Sequence, residues 1–386
     1  MGRFKRILKM FLFDVLGYVL AMGIFLAIFY LVPYDLEADG TKVGSSEDMA
    51  QFDVPVKFAY DASEGQTSSE SDEETSDTSK SDNSSDDSTD GSLDKSDKGM
   101  SNKPSGKGNK SHGSFGFNGN HDNLGTEEIE ADESEAEEMA NADAAVALLE
   151  EYSTDNVYMT IERKVVGSGN DTVTYYVADV YVSSLEYLRT ALADGEYGTN
   201  IKQDVDDIAS DNNAIFAITG DSYGNNTTGI VIRDGILYRD DENDADVCLL
   251  YTDGTMKTFT AAEFDEESVK EDNVWQAWCF GPALLDGEGN VLSEFTTTTY
   301  LSEAHPRVAI GYVAPGHYVF VVVDGRDEGY SRGATLSELA AIMQKEGCLT
   351  AYNLDGGGSS SMLYDGEYVN KSTGRDISDI IYIPKE

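Results

Sequence analysis

The sequence predicts an α+β domain in the C-terminal part of a 386-residue chain, with a mixed, largely antiparallel sheet and few helices. Two observations support this fold class. From Val157 onward, short β-rich runs alternate with turn residues, which is typical of antiparallel hairpins. Over the same part, only short segments have the apolar period of a helix. The residues before this domain predict a transmembrane helix and a disordered acidic linker.

Three pairs of β-rich runs are separated by turn residues at the spacing of hairpins. Gly, Asn and Asp occur in these turns, and they accept the positive φ that tight hairpin turns need. The predicted pairs are 159–166 with 172–182, 229–232 with 236–238, and 249–252 with 255–259. We therefore expect each pair to be antiparallel neighbours.

Two helices are predicted in the domain, over 185–192 and 336–345. The second has well-marked ends. Thr335 and Glu338 form a capping-box pattern at its start, and Gly347 follows its last turn. This helix is therefore the clearer of the two.

Strands over 318–323 and 349–354 flank the second helix, which predicts a parallel strand–helix–strand crossover. The carboxyl ends of the two strands would then reach the same edge of the sheet. Asp324 and Asp355 follow these ends directly. Because ligands usually bind at that edge, the two acidic loops are expected to meet at a site.

The N-terminal residues predict a membrane anchor over 1–34. Four basic residues lie within 1–9, and residues 10–32 are apolar apart from Asp14. The run is long enough to cross a bilayer, and its basic flank predicts a cytoplasmic N-terminus. A cleaved signal peptide is the alternative, but the run is longer than usual for one and lacks a small-residue cleavage site. The protein is therefore expected in the cell membrane, single-pass, with its catalytic domain extracellular.

Residues 35–126 have the composition of a disordered linker. Between 61 and 100 there are 13 Asp or Glu and 12 Ser with no aromatic residue, so this stretch cannot bury a core. Residues 127–152 predict an acidic helix whose apolar end docks on the following domain, or else a solvated stalk. The folded domain is expected over 153–386.

The net charge of −45 excludes nucleic acid as a partner, because phosphate backbones bind basic surfaces. Glycans and cations fit an acidic surface better. Acidic clusters at 204–207 and 240–244 make calcium a possible cofactor in an extracellular setting, although neither has the EF-hand pattern. No other cofactor is indicated, and the three cysteines have neither zinc nor disulfide-framework spacing.

The run from Tyr352 to Ser361 is the most informative stretch, because an apolar strand leads into Asp355, three glycines and three serines. Glycines let a ligand approach the backbone closely, and serine hydroxyls add donors that suit phosphate or sugar oxygens. Successive amide groups in such a turn can form an anion-binding concavity. A tight turn or bulge without a ligand is the alternative.

Five blocks of sequence, in order, resemble the phosphodiester glycosidase family, and two blocks upstream extend the similarity. The five are 305–311, 323–326, 333–340, 353–360 and 374–379, and the upstream two are 217–232 and 280–284. The resemblance covers about 155–386 and is to bacterial, membrane-anchored members. At Thr219 the family usually has Asn, so any contact of that amide with a sugar or phosphate is in question here.

The resemblance implies hydrolysis of a sugar-1-phosphodiester with release of the sugar from phosphate. The predicted anchored extracellular domain points to envelope glycans or exopolysaccharide as the substrate. The expected catalytic residues are Asp355, Asp324 and Asp221, with Asp355 as base, nucleophile or metal ligand. The expected substrate-binding residues would hold phosphate or sugar through guanidinium, amide and hydroxyl groups. They are Arg307, Arg326, Arg375, Asn353, Gly357, Gly358, Ser359 and Ser360.

Alternative roles for the same residues stay open at this point. Asp324 precedes a glycine after a strand, which also suits a turn aspartate. Each arginine could be a structural ion-pair partner in so acidic a domain. The whole domain could be a non-catalytic glycan-binding or envelope-assembly module, or a transferase that passes the sugar phosphate to another acceptor.

Overall fold

The structure is a computed structural model that describes residues 34–36, 38–55, 126–265 and 273–386, with Met22 and Val269 as isolated positions. Apart from Met22, the predicted membrane segment 10–32 lies outside these residues, as does most of the predicted linker. No helix within the described part is long and apolar enough to cross a membrane.

Strands dominate the described residues. In chain order they are β1 (Tyr34–Asp35), β2 (Glu127–Glu130), β3 (Ala145–Ser153), β4 (Val157–Val166), β5 (Val173–Val182), β6 (Arg189–Leu192), β7 (Gly198–Thr199), β8 (Ala214–Thr219), β9 (Gly229–Arg233), β10 (Ile236–Asp241), β11 (Val247–Tyr251), β12 (Met256–Phe259), β13 (Val274–Trp278), β14 (Ala283–Asp286), β15 (Glu294–Thr297), β16 (Arg307–Ala314), β17 (His317–Val323), β18 (Thr350–Leu354), β19 (Met362–Tyr364), β20 (Glu367–Tyr368) and β21 (Asp379–Pro384). The helices are α1 (Glu133–Asn141), α2 (Val205–Asp211), α3 (Thr299–Ser302) and α4 (Leu336–Lys345).

The strands form one seven-stranded sheet, two five-stranded sheets and two short pairs. Their orders are β14-β18-β16-β17-β5-β4-β3, β20-β19-β8-β21-β6 and β10-β9-β13-β11-β12, with β1-β7 and β15-β2 as the pairs. The three predicted hairpins are confirmed as antiparallel pairs β4–β5, β9–β10 and β11–β12. The α+β, largely antiparallel fold class is therefore confirmed.

The central strands β5, β16, β17 and β18 of the seven-stranded sheet are buried on both faces, whereas the edge strand β3 is exposed. One face packs against β8 and β21 of the second sheet, where the rings of Phe216 and Phe320 lie 5.5 Å apart. The other face is covered by α4, whose predicted capping box from Thr335 and Glu338 is present. Helix α2 covers the outer face of the second sheet. This layering holds the strand ends that carry the site in fixed positions.

The predicted crossover is confirmed in direction but not in adjacency. Strands β17 and β18 both pair antiparallel with β16, so they run the same way with β16 between them. Their carboxyl ends do reach one edge, and the start of β16 at Arg307 lies between Asp324 and Asp355. The sequence predicted that β17 and β18 are direct neighbours. No local pattern indicates that β16, which precedes both in the chain, lies between them.

Two helix predictions are wrong. Residues 185–192 form a 3-10 turn and then strand β6, which pairs with β21. Residues 127–152 contain β2, the short helix α1 and β3 rather than one acidic helix. Strand β3 pairs with β4 as the edge of the seven-stranded sheet, and this tertiary pairing outweighs the helix propensity of its Ala, Leu and Glu residues.

Residues 38–55, predicted as linker, pack on the folded domain. Val43 is buried and its amide donates to the Gly235 carbonyl at 2.9 Å. The amide of Phe52 donates to the Ser183 carbonyl at 2.8 Å. After residue 125 the chain is again part of the same domain, since β2 pairs with β15. Residues 56–125 therefore connect two segments of one domain and are not a spacer that precedes it.

This connectivity predicts that a cut between 56 and 125 leaves the two fragments associated. A site-specific protease sequence placed near residue 90 of the full chain would be cut under native conditions, followed by size-exclusion chromatography. We expect the N-terminal fragment to elute with the C-terminal one. Its strand β1 pairs with β7, and its later residues bond to the main chain of Gly235 and Ser183. A Val43→Asp, Phe52→Ala variant is the control that should release it. Separation of the wild-type fragments would contradict the packing.

Candidate active site

Asp355 follows β18 at the shared strand edge, and its amide donates to the Gly220 carbonyl at 3.0 Å. Protein atoms surround its carboxylate, although the residue keeps partial solvent exposure. Burial raises the pKa of Asp355 to about 6, against hydrogen bonds from Ser359 and Ser222 and nearby Arg375 and Lys202. A carboxylate with such a pKa suits proton transfer near neutral pH.

The glycine run after Asp355 folds into a single 3-10 turn, Gly357–Ser359. The amides of Gly357, Ser359 and Ser360 donate to the carbonyls of Pro306, Gly356 and Gly357 at 2.8, 3.1 and 3.4 Å. These three amides are therefore bonded to protein carbonyls and are not free for the expected anion-binding concavity.

The turn needs glycine because two other segments press against it. A Cβ on Gly356 would lie 2.7 Å from the Pro306 carbonyl oxygen. A Cβ on Gly358 would lie 2.5 Å from the Arg375 guanidinium, which lies across the turn at that point. Because Gly358 has no side chain, the Arg375 guanidinium can lie directly against the loop that carries Asp355.

Hydrogen bonds from both sides hold the turn in place. Thr219 Oγ1 donates to the Ser359 carbonyl at 2.5 Å, and Thr373 Oγ1 donates to the Gly358 carbonyl at 2.6 Å. Asn370 Nδ2 donates to the Ser360 carbonyl at 3.1 Å. Thr219, where the family usually has Asn, therefore positions the loop through its hydroxyl.

Sequence reasoning missed Lys202 and Ser222. Partial burial lowers the pKa of Lys202, while Asp355 raises it and Arg375 lowers it, which places all three groups together. Ser222 has φ 62°, an uncommon conformation for a residue with a side chain, and its hydroxyl contacts Asp355. Lys202 has no local motif to signal it. Ser222 lies in the same sequence block as Asp221, the residue expected to be catalytic.

Arg326 lies at the other end of the turn, where a Cβ on Gly357 would lie 3.6 Å from its guanidinium. Arg326 Nη2 donates to the Tyr300 hydroxyl at 3.1 Å and to His305 Nδ1 at 3.3 Å. His305 Nε2 donates to the Tyr300 carbonyl at 2.9 Å. With one ring nitrogen donating and the other accepting, the imidazole is neutral, and burial lowers its pKa.

Asp221 lies in a buried ion network. Its Oδ1 accepts from Arg233 Nη2 at 2.7 Å and from the Tyr223 amide at 3.1 Å, and its Oδ2 accepts from the Cys279 amide at 3.0 Å. Asp379 shares the same guanidinium at 2.8 Å. Because both oxygens of Asp221 are engaged by protein donors, this residue supports the Ser222 loop rather than facing a substrate.

Asp324 is also engaged on both oxygens. Oδ2 accepts from the Tyr330 hydroxyl at 2.9 Å, and Oδ1 accepts from Asn370 Nδ2 at 3.0 Å. The Lys371 amide donates to both oxygens at 3.2 Å. Asp324 therefore connects the end of β17 to Asn370 and Lys371. Asn370 in turn bonds to the Asp355 loop, so Asp324 supports the site indirectly.

Arg307 donates to main-chain carbonyls, although binding of substrate was expected. Nε donates to Ala334 at 2.9 Å, and Nη2 donates to Leu301 and Glu303 at 2.5 and 2.6 Å. Burial lowers its pKa to about 10, with Arg326 adding to the effect. Arg307 thus holds the segment that carries Tyr300, the partner of Arg326.

Asn353 has a similar supporting position on β18. Its side chain is buried, and Nδ2 donates to the Gly281 carbonyl at 2.7 Å. The Ser360 side chain is buried too, and its hydroxyl has no protein partner. Of the predicted set, the structure therefore places Asp355, Arg375, Arg326, Gly357, Gly358, Ser359 and Ser360 on or against the turn.

No group of three or more His, Cys, Asp and Glu side chains in the described part of the chain could hold a metal ion. In the cluster at 204–207, the Tyr368 hydroxyl donates to Asp204 Oδ1. The calcium prediction stays a prediction.

Residues 212–384 match the sequence model of a family described as phosphodiester glycosidase. Residues 212–384 form a phosphodiester glycosidase domain. The site described above, from Ser222 to Arg375, lies inside this domain, whereas Lys202 lies before it.

The chain is also similar to individual proteins. It is 28% identical over 243 residues to the SPbeta prophage-derived uncharacterized protein YomE of Bacillus subtilis (strain 168), over 58% of this chain and 38% of that protein. The chain therefore spans well under half of that relative.

Two solved structures are similar to this chain over 63% of its length. One is the zebrafish N-acetylglucosamine-1-phosphodiester alpha-N-acetylglucosaminidase catalytic domain, auto-inhibited by pro-peptide, at 19% identity and a TM-score of 0.49, over 63% of this chain and 88% of that one. The other is a hypothetical protein from Synechocystis, at 14% identity and a TM-score of 0.48, over 63% and 68%.

Proposed function

We propose that the protein hydrolyses sugar-1-phosphodiester linkages in envelope glycans, releasing a free sugar and leaving a phosphomonoester. The observation that carries the proposal is the position of Asp355, a half-buried residue just before a glycine turn, with two cations acting on its carboxylate. Arg375 and Lys202 supply the positive charge, and a guanidinium can hold two phosphate oxygens at once. The family match of the surrounding domain supports the same chemistry.

In this proposal Asp355 acts as the base. Water attacks C1 of the sugar, its proton passes to the Asp355 carboxylate, and the C1–O bond to phosphate breaks with the electron pair leaving on phosphate. Arg375 and Lys202 stabilise the charge that develops on the leaving phosphate. A phosphate leaving group needs little acid assistance, which fits a site whose other buried carboxylates, Asp221 and Asp324, are held by protein donors.

The envelope setting rests on the predicted anchor and on the position of β1. Residues 10–32 have the length and apolarity of a membrane span. Strand β1 begins two residues later and pairs with β7 of the domain. An anchored protein with this connection would hold its domain at the outer face of the membrane, within reach of phosphodiester-linked envelope glycans.

The proposed function is tested with the purified full chain in detergent. The chain would be incubated with UDP-GlcNAc and with a simple α-linked sugar phosphodiester, and free sugar would be quantified with and without calcium. Release of free sugar and phosphomonoester in equal amounts supports the hydrolase. Transfer of the sugar phosphate to an added glycan acceptor without free sugar would favour the transferase, and no turnover of any donor would favour the binding module.

The rate of sugar release is expected to fall as the pH drops through about 6, because burial raises the pKa of Asp355 to about 6 and protonation removes the base. The measurement is kcat/KM from about pH 4 to about pH 8. Lys202 favours ionised Asp355, so Lys202→Met should move the fall to higher pH. A wild-type profile that is flat through pH 6 would contradict the assignment.

A further inference from the structure

Residues 370–376, called the strap below, lie against the glycine turn and include Arg375. The strap is outside the helices and strands, and its residues from Thr373 onward are exposed. The amides of Val369 and Ile377, just beyond its two ends, donate to main-chain carbonyls at 2.8 and 2.9 Å. The bonds from the strap to the turn itself come from side chains. The position of the strap over the turn therefore depends on these side chains.

The Arg375 guanidinium is held in place by contact rather than by a bond. In the part of the chain that the structure describes, Arg375 donates no hydrogen bond and forms no ion pair. A Cβ on Gly358 would lie 2.5 Å from its Nη2, 2.6 Å from its Cζ and 2.7 Å from its Nε. The N–H groups of this exposed guanidinium thus remain available for an anion.

Thr373 bonds to the same glycine that Arg375 covers. Its Oγ1 donates to the Gly358 carbonyl at 2.6 Å. The residue between them, Gly374, has φ 65°, a conformation that favours glycine. Among the side-chain bonds from the strap to the turn, the Thr373 bond is the nearest in sequence to Arg375. The hydroxyl of Thr373 therefore restrains the main chain from which the guanidinium extends.

We propose that Thr373 is a positioning residue whose hydroxyl keeps the Arg375 guanidinium beside Asp355, where it can hold a phosphate group. The inference rests on the proposed function, because it concerns the same site. The hydroxyl acts through Arg375, since its proton is donated to the Gly358 carbonyl. Without that bond, the guanidinium has more positions available, and fixing it on a phosphate group costs more entropy.

The test is calorimetric titration of the full chain in detergent with inorganic phosphate. At about pH 5, below the raised pKa of Asp355, the protonated carboxyl does not repel the anion. We expect the wild type to bind with a Kd on the order of 1 mM. Thr373→Val and Thr373→Ala both remove the hydroxyl and should weaken binding by about three- to tenfold. Thr373→Ser keeps the hydroxyl and should bind within about twofold of the wild type.

A double variant separates positioning from a direct contact or a general effect on the fold. Arg375→Met should weaken phosphate binding by about tenfold or more. Adding Thr373→Val to Arg375→Met should cause no further loss, because the hydroxyl acts through the guanidinium. Thr255→Val is the matched control, since it removes a hydroxyl bond to Asp253 in the turn between β11 and β12. It should leave phosphate binding unchanged.

Three results would each overturn the proposal. They are wild-type phosphate affinity in Thr373→Val, a further loss in the double variant, and absence of phosphate binding by the wild type. If phosphate binding follows the expected pattern while no sugar is released from any phosphodiester, the positioning role stands and the proposed hydrolysis fails. The two proposals therefore fail separately.

Discussion

Asp355→Asn is expected to lower sugar release by about 10²–10⁴-fold while the protein stays folded. The amide cannot take the proton from the attacking water, but it keeps the shape of the side chain. Its contacts with Ser359 and Ser222 can be made by an amide as well. The measurement is kcat with the sugar phosphodiester, beside the thermal midpoint of each protein.

The stability of this variant has a definite sign. Because the pKa of Asp355 is raised to about 6 by folding, its contribution favours the fold at low pH and is lost as pH rises through about 6. Above pH 6, Asp355→Asn should therefore melt at or above the wild-type temperature, and the difference should close toward pH 4.

The matched control is Asp365→Asn, which removes the same charge at an exposed ion pair with Lys385. It should change neither kcat nor the thermal midpoint appreciably. Turnover by Asp355→Asn at the wild-type rate would refute the assigned role. If Asp355→Asn loses activity because it unfolds, the role of Asp355 is structural and not catalytic.

Arg233→Met is expected to destabilise the fold by about 3–5 kcal/mol. Arg233 is 3% exposed, and it is the cation shared by Asp221 and Asp379 at 2.7 and 2.8 Å. Burial raises the pKa of Asp379 to about 7, with Arg233 acting in the opposite direction. Without the guanidinium, two carboxylates would be buried side by side with no compensating charge. Urea unfolding at neutral pH measures the loss.

The Arg233 prediction has two comparisons. Arg189→Met breaks the more exposed ion pair with Asp234 and should cost only about 0–1 kcal/mol. Adding Asp379→Asn to Arg233→Met should recover part of the stability, because one of the two unpaired charges is removed. Equal costs for Arg233→Met and Arg189→Met would show that the buried network does not stabilise the domain.

The active loop shows why only part of the site could be predicted. Asp355 and its glycines are adjacent in sequence, and a carboxylate beside three glycines after a strand is a local signal of close approach. The role of Asp221 was harder to predict, because an aspartate in a block that resembles the family can face a ligand or a buried arginine equally well. The partner Arg233 is 12 positions away on another strand, so the pairing depends on the sheet.

Local sequence alone predicted the hairpins, the helix α4 and the place of the Asp355 loop at the end of a strand. Turn residues, a capping box and a glycine run act over a few neighbouring positions and can be read from the sequence, whereas contacts from Thr219, Thr373 and Asn370 hold the loop in its final position. Tertiary structure alone decided the strand β3, the packing of residues 38–55 and the presence of Lys202 beside Asp355. Each of these depends on contacts between distant segments, whose free energy comes from burial and pairing that no local pattern records.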